Sequence, residues 1–492
     1  MLMRDPLIHR RLIFAVLALL ATALAGASAA GQAEQERSSL NEKLVIIAPQ
    51  ALRHAIGEFL TFKKRRMFTT FFSLEHVQQT SVGDDDAEKL KRFLYTQWRM
   101  NDFGYVLLVG DVDTIPVRYM ALDRITPAAF DYAFYATDLY YADLAKPDRT
   151  FDDWNAQHDG FHARYIGEVR GEKNKTDPVN FDEVDYQPEI AVGRWPVNTP
   201  EEVLIVAQKS MAYERGVEAL MVMGPPALEH PPEKPGARVA ALINCEGWVD
   251  GRGMLDAVAA ELPALWIAQR RYFADATRND NTPPPTKEQV IALLNAGAGI
   301  VAHIGHGDNN SWNGCLSVND LTSLNNADRL PIMISAGCST AVCTAQAPYE
   351  AYIDADGMEH AGTNNGEVFT APPPPPACYQ KGPHNATSMG EQLLRHNGNG
   401  AAAYIGCNTG GQPCALTLVE GFINAIGRQS KPRLGNCWVE AVMHYCKKEN
   451  LATIKPDEGW YPPSVFYQPM KFMVFGDPTL PIAGPKAGAN TP

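Results

Sequence analysis

Gly299-Ile-Val-Ala-His-Ile-Gly-His-Gly307 is the first of two stretches that decide the fold of this chain, and Leu330-Pro-Ile-Met-Ile-Ser-Ala-Gly-Cys338 is the second. Each stretch is a short apolar run closed by small residues, a pattern that is typical of a buried strand. In open α/β sheets, ligands bind beyond the carboxyl ends of the strands. His306 and Cys338 are therefore predicted to emerge at the same edge of one sheet.

Apolar strands and amphipathic helices alternate outward from these two stretches over most of the 492 residues. Strands separated by helices imply parallel βαβ units and a doubly wound sheet, so the sequence predicts an α/β fold. The predicted strands cover residues 43–48, 105–109, 219–223, 300–304, 331–335, 401–405 and 471–475, and the predicted helices cover residues 51–64, 86–100 and 253–262.

A thiol and an imidazole at one edge are the minimum equipment of a cysteine nucleophile, because the thiolate attacks and the imidazole lowers the thiol pKa. The alternative for Cys338 is a buried, inert cysteine that packs as a small hydrophobe. His306 lies between two glycines, where the backbone can turn sharply and approach a substrate. His303 falls inside the predicted strand, and we interpret it as a core histidine with a satisfied hydrogen bond.

The order of these motifs resembles the gingipain-like cysteine peptidases, a branch of the caspase-like fold. The resemblance begins with Gly305-His306-Gly307, the following Trp312, and Ser335-Ala-Gly-Cys338. Three further stretches agree with it and extend it to roughly residues 43–482: Val106-Leu-Leu-Val-Gly-Asp111 with Ile115-Pro116, Pro188-Glu-Ile-Ala-Val-Gly-Arg194 with Pro196, and Phe475-Gly-Asp-Pro-Thr-Leu480.

The resemblance implies mostly parallel sheets flanked by helices in two side-by-side subdomains. We expect a signal peptide at residues 1–29 and a short leader at 30–42. An N-terminal α/β subdomain would follow at 43–217, then a catalytic caspase-like subdomain at 218–486 and a tail at 487–492. The proline-rich stretch 224–236 fits a surface loop at the break between the two subdomains.

The function that the resemblance implies is an exported cysteine endopeptidase acting on peptide or protein substrates. Cys338 would attack the scissile carbonyl to form a thioester, and His306 would protonate the leaving amine. The backbone N–H groups of Gly307 and Cys338 would hold the oxyanion. Two alternatives stay open: a catalytically inactive peptide-binding or scaffold protein of the same fold, and a transpeptidase that shares the acyl-enzyme.

Substrate recognition is less well defined by the sequence. Trp312 could form a wall of the substrate site or simply pack its loop. Asp250 lies near the acidic position that arginine-specific relatives use, but Arg252 beside it argues against a preference for a basic side chain. The unpatterned segment 343–387 is predicted to be an insertion, either a lid or specificity loop or a surface decoration.

The N-terminus indicates export, and the acidic charge argues against nucleic-acid partners. Arg4, Arg10 and Arg11 precede an apolar run over residues 12–25 and an Ala-Ser-Ala cleavage site at 27–29, which is the pattern of a secretory signal peptide. Its removal takes away three arginines and one aspartate and moves the formal net charge from −13 to −15. We therefore expect a secreted or periplasmic protein without a membrane-spanning segment after cleavage and without nucleic-acid partners.

Nine cysteines remain in the exported chain, and export favours disulfides. If Cys338 is free, the other eight allow up to four bridges, with local pairs at Cys407–Cys414 and Cys437–Cys446 among the options.

No cofactor is expected to be required. Because the relatives bind structural calcium, the carboxylates of Asp152, Asp153 and Asp159 are candidate ligands, although their spacing fails the EF-hand pattern. A solvated acidic loop is the alternative interpretation of this stretch.

Overall fold

The structure is a computed structural model that describes residues 40–125, 130–166, 180–223, 238–247, 249–275, 277, 281–380, 387–454 and 465–483. The predicted signal peptide at 1–29, most of the predicted leader and the predicted tail at 487–492 lie outside these residues. Among the described residues, no helix has the length and apolar character needed to cross a membrane.

The strands are numbered in chain order. They are β1 (Lys43–Ala48), β2 (Phe68–Ser73), β3 (Tyr105–Val109), β4 (Arg118–Ile125), β5 (Phe130–Thr137), β6 (His162–Ile166), β7 (Ala191–Trp195), β8 (Val239–Asn244), β9 (Ile267–Tyr272), β10 (Ile300–Ile304), β11 (Ser311–Trp312), β12 (Leu316–Ser317), β13 (Ile332–Ser335), β14 (Tyr352–Ile353), β15 (Glu359–His360), β16 (Ala403–Cys407) and β17 (Phe472–Phe475).

The helices are also numbered in chain order. They are α1 (Gly57–Lys64), α2 (Leu74–Thr80), α3 (Asp86–Asn101), α4 (Leu139–Ala142), α5 (Pro200–Met223), α6 (Arg252–Glu261), α7 (Lys287–Ala296), α8 (Met389–Arg395), α9 (Ala415–Arg428) and α10 (Leu434–Lys448).

One sheet of ten strands organises the described chain, in the order β2-β1-β3-β7-β17-β16-β13-β10-β8-β9. Neighbouring strands are parallel throughout except for β16 and β17, which pair antiparallel. A separate three-stranded sheet of β5, β4 and β6 also forms. The predicted α/β fold with a mostly parallel sheet is confirmed.

Most predicted elements are also confirmed. The strands at 43–48, 105–109 and 300–304 match β1, β3 and β10 to the residue, and the helix at 86–100 is α3. Asp85 caps α3 by accepting a hydrogen bond from the Glu88 amide, which explains its sharp start.

The predicted strand at 219–223 is wrong, because these residues form the end of α5. A short apolar run alone does not distinguish a buried strand from a turn of helix, and here the helix continues from Pro200. The predicted subdomain boundary after residue 217 falls inside the same helix. The proline-rich stretch 224–236 lies outside the described residues.

The motifs that carried the resemblance meet near the centre of the sheet. Arg194, at the end of β7, is fully buried and forms an ion pair of 2.7 Å with Asp138. Its guanidinium also donates to the carbonyls of Gly110 and Ile115. A Cβ placed on Gly193 would lie 2.3 Å from the Gly476 carbonyl, so β7 and the segment after β17 pack backbone against backbone.

Candidate active site

His306 and Cys338 follow adjacent parallel strands. In the register of β10 and β13, His303 lies opposite Ser335. His306 follows His303 by three residues, and Cys338 follows Ser335 by three residues. Both therefore stand at the carboxyl edge of the ten-stranded sheet, on neighbouring loops.

The two loops touch through Gly307. A Cβ placed on Gly307 would lie 2.7 Å from Thr340 Cγ2, 3.1 Å from the Cys338 carbonyl oxygen and 3.2 Å from Gly337 Cα. Real Cβ atoms do not pack at the shortest of these distances, so the contact requires a glycine. The close approach sets the backbone that follows His306 directly against the peptide that carries Cys338.

Cys338 is half-buried and sits in a turn whose backbone is constrained on both sides. The Gly411 amide donates to its Sγ at 3.3 Å. Ser339, the next residue, has a φ of 56°, and its amide donates to the Thr409 carbonyl at 2.8 Å. The loop after β16 thus fixes the thiol and supplies an N–H group that can stabilise a thiolate.

His306 is exposed, and its backbone is held by the hairpin that follows it. The Asn313 amide donates to the His306 carbonyl at 3.0 Å, and Gly307 forms an antiparallel bridge with Trp312. A Cβ on Gly247 would lie 3.8 Å from His306 Cδ2, so the loop after β8 borders the imidazole. An exposed imidazole on a fixed backbone is suited to proton transfer with a substrate.

The backbone N–H groups of Gly307 and Cys338 were predicted to hold an oxyanion. Within the part of the chain that the structure describes, neither group has a hydrogen-bond partner. Unpaired N–H groups beside a candidate nucleophile are the kind of donor that a developing oxyanion requires.

His303 is a strand-interior residue, as predicted. It is fully buried, and its Nδ1 lies 2.9 Å from Ser335 Oγ. Trp312 stacks on it with ring centroids 4.5 Å apart and donates from Nε1 to the Tyr404 hydroxyl at 3.0 Å. Because the indole of Trp312 is also fully buried, its surroundings favour the packing interpretation over a substrate wall.

The carboxylate of Asp250 forms an ion pair with Arg252. The Arg252 guanidinium pairs with Asp250 at 2.8 Å and with Asp275 at 2.7 Å, and its hydrogen bond holds the pKa of Asp250 below the ordinary value. The carboxylate therefore already has a cationic partner within the chain.

The three candidate calcium ligands do not come together. Asp152 groups with Asp143 and Asp185, whose ligand oxygens lie within 4.8 Å of one another. Asp159 instead pairs with Arg164 at 2.8 Å, and Asp153 accepts from the Asn155 amide.

The group of Asp143, Asp152 and Asp185 fits a hard cation by its chemistry. Asp143 and Asp152 each keep one buried oxygen that has no hydrogen-bond partner among the described residues. Burial and the neighbouring Asp152 raise the pKa of Asp143 well above its ordinary range. A bound dication would relieve this repulsion.

All nine cysteines are free thiols in the structure, which therefore shows none of the expected disulfides, including the local Cys407–Cys414 and Cys437–Cys446 pairs. Cys407 Sγ instead contacts the Thr409 carbonyl at 3.1 Å. Another grouping has no counterpart in the sequence pattern: Cys245 and Cys315, 70 positions apart, have their sulfurs 3.1 Å from each other. Neither spacing nor a motif could have found that pair, because it arises from the meeting of two loops.

A thiol and an imidazole after neighbouring strands of a mostly parallel sheet, with helices on its faces, define a protein of the caspase-like class. The chain belongs to peptidase family C25, whose sequence model matches residues 37–483.

Gingipain R2 of Porphyromonas gingivalis (strain ATCC BAA-308 / W83) is 21% identical over 305 residues, which are 61% of this chain and 32% of that relative. The chain thus spans about a third of the length of the curated relative it matches.

Among solved structures, the Arg-specific cysteine proteinase gingipain R (RGPB) superimposes with a TM-score of 0.56 at 16% identity, covering 90% of this chain and 79% of the other. The complex of the Porphyromonas gingivalis RgpB pro- and mature domains gives a TM-score of 0.55 at 15% identity, covering 89% and 79%. These likenesses confirm the caspase-like fold.

Proposed function

We propose that this member of the family is an active cysteine endopeptidase that uses Cys338 and His306. The observation that carries the proposal is the contact of Gly307 with the Gly337–Cys338 peptide, which places the histidine loop against the cysteine turn. Membership of a cysteine-peptidase family supports the same assignment.

The proposed reaction begins when the Cys338 thiolate attacks the scissile carbonyl carbon. The carbonyl oxygen becomes an oxyanion, and the N–H groups of Gly307 and Cys338 would donate to it. As the tetrahedral intermediate collapses, His306 protonates the leaving amine and a thioester remains on Cys338. Water, activated by His306, then hydrolyses the thioester and restores the thiol.

The proposed substrates are peptides without a preference for arginine at the cleavage site. Asp250 would be the acidic residue of such a pocket, and Arg252 already neutralises it from a distance of 2.8 Å. The export that we propose rests on the arginines, apolar run and Ala-Ser-Ala site of residues 1–29.

The test compares the reduced chain with Cys338→Ala and His306→Ala on a diverse peptide library, with cleavage read by mass spectrometry. We expect cleavage by the parent, loss in both variants, and few products ending in arginine. Cys446→Ser is the matched control, since that half-buried thiol lies on α10.

Two other outcomes would decide against the proposal. Cleavage that survives Cys338→Ala would identify another nucleophile, and no cleavage by any form would favour the binding or scaffold protein. A transpeptidase would instead show aminolysis products when amines are supplied, with the same dependence on Cys338.

A further inference from the structure

A cluster of soft ligands lies beneath the proposed active site. The side chains of Cys245, His303 and Cys315 each offer one ligand atom, and these atoms lie within 4.8 Å of one another. The cluster joins three parts of the fold: the residue after β8, the interior of β10, and the turn between β11 and β12. All three residues are buried, with exposures of 4%, 0% and 2%.

His303 carries the second observation that points to a ligand. Its Nδ1 is occupied by the 2.9 Å hydrogen bond to Ser335 Oγ. Its Nε2 is buried and has no hydrogen-bond partner among the described residues. An unpaired polar atom in a fully buried ring is costly, and a lone pair on Nε2 is the form in which histidine binds metals.

Ser335 already has the position of an outer-shell partner. Its Oγ accepts from the Gly337 amide at 3.1 Å as well as facing His303 Nδ1. A metal-bound histidine almost always donates its other N–H to such an oxygen, which fixes the ring and its tautomer. Trp312 stacks on the imidazole at 4.5 Å and holds its plane.

We propose that Cys245, Cys315 and His303 bind a zinc ion. Two thiolates and an imidazole are a donor set that zinc favours, with Zn–S distances of about 2.3 Å, and a water molecule can supply the fourth ligand. Binding converts both thiols to thiolates and releases their two protons to solvent.

The unpaired Nε2 of His303, and not the sulfur separation, distinguishes this site from a disulfide. The sulfurs are 3.1 Å apart, whereas an S–S bond needs about 2.05 Å and two thiolates on a tetrahedral zinc stand about 3.8 Å apart. Either state requires movement, but a disulfide would leave His303 Nε2 unpaired, and zinc would satisfy all three groups.

The consequence of zinc binding for catalysis rests on the proposed function. His306 lies on the loop between His303 and Cys315, so the ion would close that loop at both ends. A Cβ on Gly305 would lie 2.8 Å from Cys245 Cβ, which shows how tightly the loop already packs on this ligand.

The experiment uses the full chain carrying Cys338→Ala, which removes the half-buried thiol of the proposed active site as a competing ligand and makes the result independent of peptidase activity. Metal-free, reduced protein is titrated with zinc, and bound zinc is measured by mass spectrometry of the element. We expect one zinc per chain, lost when Cys315→Ser or His303→Gln is added and retained when Cys446→Ser is added.

Two further measurements guard against a variant that simply misfolds. Ser335→Ala keeps all three ligands and should weaken zinc binding about 10- to 100-fold. Cobalt in place of zinc should give a thiolate charge-transfer band in the unaltered cluster.

Three results would overturn the proposal. They are no uptake of zinc or cobalt by the reduced chain, an unchanged zinc content in the Cys315→Ser variant, or a Cys245–Cys315 disulfide in the peptide map of the exported protein.

Discussion

Gly307 shows how a residue without a side chain can organise the edge of the sheet that carries His306 and Cys338. Its Cα approaches the Cys338 turn so closely that an added methyl group would stand 2.7 Å from Thr340 and 3.1 Å from the Cys338 carbonyl. The same residue offers one of the two N–H groups of the proposed oxyanion site. Its position therefore controls both the distance between the two loops and the direction of that donor.

Gly307→Ala should lower kcat/KM by about 100-fold, because a displacement of about 1 Å between reacting groups costs that much. The measurement is the steady-state rate on a peptide from the library cleavage. Gly216→Ala is the matched control: it lies on an exposed face of α5 with nothing within 4 Å of the added Cβ, so activity should be unchanged. A Gly307→Ala rate within about threefold of the parent would contradict this role.

At the scale of elements, the motifs that identify the family hold strands and helices together. Lys63 of α1 is fully buried and pairs with Asp477 at 2.7 Å and with Glu214 of α5. Arg194 of β7 pairs with Asp138. Buried charges are tolerated only when paired and hydrogen-bonded, so each motif constrains the elements around it.

Arg194→Met should destabilise the protein by about 3–5 kcal/mol, since it leaves the Asp138 carboxylate buried without its partner. The measurement is the midpoint of urea unfolding followed by tryptophan fluorescence. Adding Asp138→Asn should recover part of the loss, because the unpaired charge is then gone. A loss below about 1 kcal/mol would show that the ion pair is not a structural requirement.

Segment 343–387, which the sequence predicts to be an insertion, contains a second group of side chains that acts at the scale of elements. His360 lies between two carboxylates, with Nδ1 at 2.8 Å from Glu367 and Nε2 at 2.8 Å from Asp354. Burial lowers the pKa of His360, but the two hydrogen bonds outweigh it and raise the pKa above the ordinary value. Burial alone would raise the pKa values of Asp354 and Glu367, yet their bonds to His360 lower both.

These pKa shifts predict the pH range in which the contacts of His360 stabilise this segment most. The His360 contribution is complete below its unfolded pKa of about 6.5 and is lost as the pH rises through the raised folded value. The carboxylate contributions are complete above about pH 4.5 and are lost as the pH falls through the lowered folded values. The two ion pairs of His360 with Asp354 and Glu367, which we call the His360 clamp, should therefore be strongest at about pH 5 to 6.

Hydrogen exchange of residues 352–369 at about pH 5.5 and about pH 8.5, corrected for intrinsic rates, checks this window. We expect greater protection at the lower pH, and His360→Gln should abolish the difference. His54→Gln, at an exposed position, should leave it intact. Equal protection at both pH values in the parent would refute the clamp.

At the scale of the whole molecule, calcium remains a proposal for the carboxylate group of Asp143, Asp152 and Asp185. The ammonium group of Lys91 on α3 is close enough to these carboxylates to interact with them electrostatically. It is buried 4.6 Å from the centre of the Tyr140 ring and 4.9 Å from the centre of the Trp154 ring. Burial lowers the pKa of Lys91, and one ammonium cannot balance three carboxylates. A dication at this point would join the segments that carry the three aspartates.

Calcium at a hundredfold excess over its dissociation constant should stabilise the folded chain by about 2.7 kcal/mol and raise Tm by several degrees. The measurement is thermal unfolding in calcium and in a chelator. Asp185→Asn should remove the shift, whereas Asp159→Asn should retain it, because Asp159 pairs with Arg164. A Tm that does not respond to calcium in the parent would end the proposal.

The sequence alone determined the fold class and indicated His306 and Cys338 as the candidate reactive side chains. Apolar runs that end in small residues report burial directly, so β1, β3 and β10 were predictable to the residue, and so was the shared edge of His306 and Cys338. A local pattern does not predict the correct element where a strand and a helix would both show that pattern. For this reason the apolar run at 219–223 predicts a strand although these residues continue α5.

Only the tertiary structure decided which distant groups meet. Contacts such as Gly307 with Cys338, Arg252 with Asp275 and Cys245 with Cys315 depend on the register of parallel strands and the paths of the loops after them. No periodicity in the chain encodes those paths, since they follow from packing the whole sheet. The sequence therefore indicates which side chains could react, and the folded sheet determines the distances between them.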